Sequence, residues 1–225
     1  MSIRAVVLDF DGVIADTERL HFAAFRDVFA RRGWGLDESA YFDRYLGFDD
    51  RGLVREFVAD IGATVTDAES AALVDAKGQL FGQHLASTDI LFPGVKAAIE
   101  QLAARFPMAI ASGALHHEIV AILRTAGLLD QFRAIVAADD VTATKPHPEP
   151  YLTAAERLGI AAAACVAVED SAAGLEAARA AGMRTIGVTT TSPRPALAAA
   201  DHIVSGLHEV SPELLEELGN RVSQR

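Results

Sequence analysis

Residues 3–13 have the sequence IRAVVLDFDGV, and this stretch decides the fold. Its first six residues, Ile3–Leu8, are mostly apolar and rich in β-branched side chains, which is typical of a strand buried on both faces of a parallel sheet. Comparable runs recur along the chain, at 108–111, 134–137, 165–168 and 185–188, with a weaker one at 202–204. The chain is therefore predicted to build a sheet from repeated buried strands.

Helical patterns separate these runs, at 95–106, 116–126, 148–158 and 172–181. Gly127, Gly159 and Gly182 stand where the last three of these helices are expected to end, because glycine commonly terminates a helix. Strands that alternate with helices predict an α/β fold with a doubly wound, Rossmann-like parallel sheet and right-handed crossovers.

The stretch 15–88 breaks this alternation, since it contains no convincing strand. It has helical patterns at 17–31 and 67–85, with short helices between them, and Phe22, Phe25 and Phe29 fall at helical spacing. We therefore predict an α/β core of residues 1–14 and 89–225 and an inserted helical cap domain of residues 15–88.

Composition excludes several classes of protein. The chain has 225 residues, 51% of them hydrophobic, and a net charge of -11, which disfavours a nucleic-acid partner. The single cysteine, Cys165, excludes an internal disulfide and fits a reducing compartment. No signal peptide is recognised, and the apolar runs are shorter than the roughly 20 residues of a membrane span. We expect a cytoplasmic protein that binds no membrane, and nothing requires more than a monomer.

Polar residues follow each predicted strand at the edge where a doubly wound sheet binds ligands. Asp9 and Asp11 end the first strand, Ser112 and Gly113 the second, and Glu169 with Asp170 the fourth, while Lys145 lies in the connection after the third. Carboxylates that converge in one crevice repel each other unless a cation compensates. An all-oxygen site favours Mg²⁺, and the lysine suits an anionic substrate group.

The motifs DFDGV at 9–13, SG at 112–113, KP at 145–146 and EDS at 169–171 resemble, in this order, the haloacid dehalogenase superfamily of phosphotransferases. The resemblance covers essentially the whole chain, and the helical insertion is similar to that superfamily's first cap type. Residues 16–18 (DTE) and His21 further resemble the β-phosphoglucomutase and sugar-phosphatase branch.

The resemblance implies a role for each residue that carries it. Asp9 is the expected nucleophile, which forms an aspartyl phosphate, and Asp11 is the expected general acid and base. Ser112, Gly113 and Lys145 are expected to hold the transferring phosphoryl group. Because Asp11 is present, dehalogenation is disfavoured.

The expected cofactor is Mg²⁺. The resemblance implies that Asp9, the backbone carbonyl of Asp11, and Asp170 ligate this ion, with Glu169 acting directly or through water. On the cap, Thr17, His21, Gly47 and Arg51 are candidate contacts of the substrate.

Structural alternatives stay open for several of these residues. Asp9 and Asp11 are also suited to capping a helix, and so is Ser112. Lys145 beside two prolines would fit a surface turn, and His21 would fit an ordinary packed position on a helix. We assign no role to four further polar residues near the predicted site: His116, His117, Asp140 and His147.

The function expected from these residues is a magnesium-dependent phosphatase of a small phosphate monoester, such as a sugar phosphate. A phosphomutase is the alternative within enzymes. A phospho-receiver signalling domain also combines acidic residues, a serine or threonine and a Lys-Pro pair, but receivers lack the inserted cap and are much shorter.

A mutase must hold a second phosphate on its cap. In an ungapped comparison with β-phosphoglucomutases, Leu46 stands before Gly47 where a mutase lysine would lie, and Asp50 stands in place of a mutase arginine. A shift of one residue would bring Arg51 into that place. An apolar side chain and a carboxylate are poor hosts for a phosphate dianion, so we expect hydrolysis rather than isomerisation.

Overall fold

A computed structural model of the chain describes residues 2–45, 48, 50–87 and 90–220. The chain forms two compact units, one of Met1–Asp16 with Leu91–Arg225 and one of Thr17–Ile90. The junctions between these units lie two residues further along the chain than the predicted domain boundaries.

The first unit contains a six-stranded sheet in which every pair of neighbouring strands is parallel. The strand order is β3-β2-β1-β4-β5-β6: β2 and β3 are added on one side of β1, and β4, β5 and β6 on the other. The strand order therefore reverses at β1. The strands are β1 (Ala5–Leu8), β2 (Met108–Ala111), β3 (Ala134–Val136), β4 (Cys165–Glu169), β5 (Arg184–Val188) and β6 (His202–Val204). The predicted doubly wound parallel sheet is confirmed.

Nine α-helices occur among the described residues: α1 (Thr17–Ala30), α2 (Glu38–Ala40), α3 (Asp50–Asp60), α4 (Asp67–Ser87), α5 (Val95–Ala103), α6 (His116–Ala126), α7 (Glu149–Leu158), α8 (Ala172–Ala180) and α9 (Pro212–Asn220). Left-handed glycines, Gly127 and Gly159, end α6 and α7 as predicted. The last helix, α9, is not part of the sequence prediction.

Strand register determines which residues meet at the carboxyl edge of the sheet. Leu8 pairs with Ile110 of β2 on one side and with Val168 of β4 on the other. Because parallel strands run side by side, the residues that follow these three positions emerge together. All residues of β1, β2 and β4 are buried, which leaves the strand ends as the only part of these strands available to a ligand.

In the described part of 17–90, the named secondary-structure elements of the second unit are all helices. Helices α1 and α3 both pack against α4. Phe25 and Phe29 are buried, as predicted, and the ring of Phe29 stacks on Phe57 with centroids 4.2 Å apart. A five-residue π-helical turn, Tyr41–Tyr45, follows α2. In the described ranges no helix has the length and apolarity that crossing a bilayer requires.

Candidate active site

Asp9 lies directly after β1 and is 7% exposed. Its Oδ1 accepts a hydrogen bond from the backbone N–H of Phe10 at 2.7 Å and lies 2.8 Å from Nζ of Lys145. Burial raises the pKa of Asp9 well above its usual value, Glu169 raises it further, and Lys145 opposes both. An ionised Asp9 therefore needs more positive charge than Lys145 alone supplies.

Asp11 lies on the tight turn that follows Asp9. Gly12 has a φ of 74°, and its N–H donates to the carbonyl of Ala15 at 3.0 Å, which closes the turn. The hydroxyl of Ser112 lies 3.4 Å from Oδ2 of Asp11 and accepts from the N–H of Ala114 at 3.0 Å. The structure thus brings Ser112 of the β2 end to Asp11 of the β1 end, with Gly113 exposed beside them.

Lys145 reaches the site from the loop between β3 and α7. Its ammonium lies 2.8 Å from Asp9 Oδ1 and 2.5 Å from Glu169 Oε1, and its side chain is 12% exposed. Burial lowers the pKa of Lys145, but the charges of Asp9 and Glu169 raise it more, so the amine stays protonated. The carboxylate of Glu149 fixes this loop by accepting from Thr142 and from the N–H of Ala143, each at 2.9 Å.

Glu169 ends β4 and is fully buried. Its Oε1 accepts from Lys145 at 2.5 Å and from the hydroxyl of Tyr151 at 2.7 Å. Its Oε2 accepts from the N–H groups of Asp170 and Ser171, each at 3.2 Å, and from the Ser171 hydroxyl at 2.9 Å. Burial raises the pKa of Glu169, but Lys145 and these donors outweigh it, so the net pKa is lowered. Both oxygens are thus engaged by protein donors.

Asp170 follows Glu169 and is 7% exposed. The hydroxyl of Thr191, in the loop after β5, donates to Oδ2 of Asp170. Burial raises the pKa of Asp170 to about 6, although the Thr191 hydrogen bond opposes the shift. A Cβ on Gly12 would lie 1.9 Å from Asp170 Oδ2, so only glycine lets the β1 turn and this carboxylate approach each other.

The donor set fits a divalent cation. Oxygens of Asp9, Glu169 and Asp170 lie within 4.8 Å of one another, and Asp11 adds a fourth carboxylate against the single ammonium of Lys145. Burial is the main cause of the raised pKa values of Asp9 and Asp170, and the negative charge of Glu169 raises both further. Oxygen ligands alone favour Mg²⁺ over softer metals.

Three residues that hold the site were not identified from the sequence. Tyr151 contacts Glu169, Thr191 contacts Asp170, and Thr190 donates from its hydroxyl to the carbonyl of Gly12. Tyr151 lies on an amphipathic helix, where an aromatic residue has the pattern of ordinary core. The two threonines belong to a run of three, and composition does not distinguish them.

Ser171 and Asp140 have structural partners. The hydroxyl of Ser171 accepts from the N–H of Gly174 at 3.0 Å and so caps α8. Asp140 accepts from the guanidinium of Arg157 and from the N–H of Ala137, each at 2.9 Å. Ser171 therefore stabilises the start of α8, and Asp140 stabilises the turn that follows β3.

The cap candidates Thr17, His21 and Arg51 belong to the second unit. Thr17 begins α1 and is buried, and Gly47 lies outside the described residues. Nδ1 of His21 lies 2.6 Å from Nζ of Lys77, and burial, with the charge of Lys77 second, lowers the pKa of His21 to about 3. Arg51 is exposed and lines a pocket of about 530 Å³, whose lining residues lie between positions 51 and 71.

Lys77 is a buried cation of the second unit, with a side chain 2% exposed. Both oxygens of Asp50 lie 2.9 Å from its Nζ, and the rings of Phe25 and Phe81 lie 5.2 and 5.3 Å away. Asp50 therefore compensates the charge of Lys77 within this unit.

The fold and the site are those of a Rossmann-like α/β protein that has a buried cluster of carboxylates and one lysine at the carboxyl edge of its sheet. The chain matches the family described as haloacid dehalogenase-like hydrolase over residues 3–182 and belongs to that family. The resemblance found in the sequence is thereby confirmed.

Three relatives illustrate the range of the family. The chain is similar to Protein CbbY of Rhodobacter capsulatus, with 34% identity over 97% of this chain and 100% of the relative. It is similar to β-phosphoglucomutase of Bacillus subtilis, with 31% identity over 96% and 95%. It is also similar to fructose-1-phosphate phosphatase YqaB of Escherichia coli, with 33% identity over 81% and 95%.

A solved structure of CbbY is also similar. The crystal structure of a mutant CbbY from Rhodobacter sphaeroides, in complex with xylulose-(1,5)bisphosphate, has a TM-score of 0.81 and 29% identity. The match covers 95% of this chain and 99% of that one.

Proposed function

We propose that the chain is a magnesium-dependent phosphatase of small phosphate monoesters that acts through an aspartyl phosphate on Asp9. The observation that carries this proposal is the ammonium of Lys145, which lies 2.8 Å from Asp9 at the carboxyl edge of the sheet and whose side chain is 12% exposed. A cation beside a buried carboxylate suits the binding of a phosphoryl group at the point of attack.

In the first step the carboxylate of Asp9 attacks phosphorus, and the bond from phosphorus to the ester oxygen breaks. Asp11 donates a proton to that leaving oxygen. Lys145, Ser112 and the N–H of Gly113 hold the phosphoryl oxygens, which carry charge throughout the transfer. The product alcohol leaves, and phosphate remains bonded to Asp9.

In the second step Asp11, now ionised, takes a proton from a water molecule. The water oxygen attacks phosphorus, and the bond between phosphorus and Asp9 breaks. Inorganic phosphate leaves, Asp9 is again a free carboxylate, and Asp11 is again protonated, so each group returns to its starting state.

Asp9, Asp170 and the backbone carbonyl of Asp11 are the residues we expect to hold Mg²⁺. When bound, the ion offsets the charge of the carboxylates and of the phosphoryl group. Because both oxygens of Glu169 already accept protein hydrogen bonds, we infer that Glu169 serves this site by holding Lys145 and not as a direct ligand.

The relatives and the second unit support an inference about the substrate class. YqaB is named for fructose 1-phosphate, and CbbY binds a xylulose bisphosphate, so we infer a sugar phosphate or a similar metabolite as the substrate.

A phosphomutase needs a second cation for a second phosphate. Asp50 already pairs with Lys77, and Arg51 lines a pocket whose lining includes neither of them, which supports hydrolysis. We further propose that the enzyme acts in the cytoplasm as a monomer.

The test is release of inorganic phosphate from a panel of sugar phosphates, in Mg²⁺ and in excess chelator. We expect turnover that requires Mg²⁺ and that is lost in Asp9→Asn. Each active substrate is also followed for isomer formation, with β-glucose 1-phosphate plus a trace of the bisphosphate as the mutase assay. Rapid isomerisation with little free phosphate would establish a mutase, and full activity in chelator would refute the metal dependence.

A further inference from the structure

Tyr151 is a fully buried residue on α7 whose hydroxyl and ring both meet the active site. The hydroxyl donates to Oε1 of Glu169 at 2.7 Å, and Nζ of Lys145 lies 5.2 Å from the centre of the ring. Helix α7 packs against β1, β2 and β3, so the ring is anchored beneath the strands that end at the site.

The hydroxyl completes the set of donors around Glu169. One oxygen of this carboxylate faces the start of α8, where Ser171 and the backbone hold it. Among the described residues, the other oxygen accepts hydrogen bonds only from Tyr151 and Lys145. The position of Oε1 therefore depends on two donors, one of which is the ammonium expected to bind the phosphoryl group.

We propose that Tyr151 is a positioning residue for phosphoryl transfer, whose hydroxyl holds Glu169 so that Lys145 is shared between Glu169 and Asp9. This inference rests on the proposed phosphatase function. Tyr151 touches no reacting atom and acts through Glu169.

The physical reason is competition for one oxygen. A hydroxyl that donates to Oε1 takes up part of its capacity to accept, so Glu169 binds Lys145 less completely and leaves Nζ available to Asp9. Without the hydroxyl, Oε1 has Lys145 as its sole remaining donor, and the ammonium is drawn from Asp9 toward Glu169. Burial first, and Glu169 second, raise the pKa of Tyr151, so the hydroxyl stays protonated and remains a donor.

Tyr151→Phe removes the hydroxyl and keeps the ring, which makes it the decisive variant. We expect kcat/KM to fall about tenfold, equivalent to about 1.4 kcal/mol of transition-state stabilisation. The Mg²⁺ concentration for half-maximal activity should stay within about twofold of the wild-type value, because Tyr151 contacts no proposed metal ligand. Binding of inorganic phosphate, measured by calorimetry in Mg²⁺, should weaken in parallel.

Thr185→Val is the matched control. Thr185 is a fully buried residue of the same unit, its hydroxyl exchanges hydrogen bonds with Asp201, and it lies near the amino end of β5, away from the site. Like Tyr151→Phe, this variant loses a buried hydroxyl that donates a hydrogen bond to a carboxylate. Its loss of thermal stability should therefore resemble that of Tyr151→Phe. Its kcat/KM should stay at the wild-type value.

A double-mutant cycle with Glu169→Gln separates action through Glu169 from a general effect. If Tyr151 acts through Glu169, the double variant should lose no more activity than Glu169→Gln alone. Additive losses, an unchanged kcat/KM in Tyr151→Phe, recovery by excess Mg²⁺, or failure of Tyr151→Phe to fold would each overturn the inference. A wild-type enzyme that releases no phosphate from any substrate would instead refute the proposed function.

Discussion

Gly174→Ala is expected to displace the Glu169 carboxylate and so to disable the site from a position that touches no substrate. Gly174 lies in the first turn of α8, where a Cβ would stand 1.8 Å from Oε1, 1.9 Å from Cδ and 2.2 Å from Oε2 of Glu169. Cβ atoms essentially never approach other atoms more closely than 3.0 Å, so Oε1, Cδ and Oε2 must move away by at least 1.2, 1.1 and 0.8 Å respectively.

The magnitude follows from what Glu169 would lose. Its two oxygens accept five hydrogen bonds, and a buried donor left without a partner costs roughly 1–3 kcal/mol. Alanine offsets about 1 kcal/mol of this through its helix propensity. We expect a net destabilisation of about 2–4 kcal/mol. Displacement of Lys145 should lower kcat/KM by about a hundredfold, comparable to removing a donor from the transition state.

Urea unfolding followed by circular dichroism measures the first effect, and phosphate release measures the second. Gly82→Ala is the control, because Gly82 lies within α4 and a Cβ there meets nothing within 4 Å. That variant should gain up to about 1 kcal/mol of stability and keep its activity. If Gly174→Ala is as stable and active as wild type, Glu169 does not occupy the position described.

Three further variants test the carboxylates. Asp9→Asn should lower the rate at least a thousandfold while the fold is kept, since an amide is a poor nucleophile, and a residual tenth of the rate, a loss of only about 1.4 kcal/mol, would contradict a covalent mechanism. Thr191→Val should raise the Mg²⁺ concentration for half-maximal activity about tenfold, because it removes the donor that orients Asp170, and Thr191→Ser should restore it. In chelator, Asp170→Asn should be more stable than wild type at pH 7, on the order of 2 kcal/mol, and no more stable at pH 4. The sign follows because the folded pKa of about 6 exceeds the ordinary 3.8, so ionisation of Asp170 costs stability as the pH rises from about 4 through about 6. Melting temperatures at both pH values check this, and a pH-independent difference would argue against it.

The sheet and the strand-end residues were predictable because two simple regularities coincide. Short apolar runs between glycine-terminated helices predict parallel strands, and the carboxyl edge of such strands is where ligands bind. The predicted runs 108–111 and 202–204 are strands with those same limits. The first strand begins at Ala5 and not at Ile3 as predicted. The residue before it, Arg4, donates from its N–H to the carbonyl of Ala164.

The partners of those strand-end residues were not predictable, because they depend on register and on side-chain direction. Nothing in the sequence distinguishes Tyr151 from an ordinary core aromatic residue, or Thr191 from its two neighbouring threonines. In the sequence, Gly174 is merely a residue of low helix propensity inside a predicted helix. The structure shows why a glycine is needed there, because the carboxylate of Glu169 occupies the space that a side chain would fill.

The hydrogen bonds around Glu169 explain how the first unit remains folded although its site holds several carboxylates that destabilise it. Four carboxylates and one ammonium meet at the ends of strands that are otherwise wholly apolar, and burial alone would protonate or expel them. Burial raises the pKa of all three carboxyl groups. At Glu169 the charge of Lys145 and the other donors outweigh burial, so its pKa is lowered, whereas the pKa values of Asp9 and Asp170 stay raised. The unfavourable charge is thus concentrated on the two residues that would ligate a cation. Because a metal stabilises only the state that binds it, Mg²⁺ should offset the cost at those two residues, while Glu169 and Lys145 keep their arrangement with or without the ion.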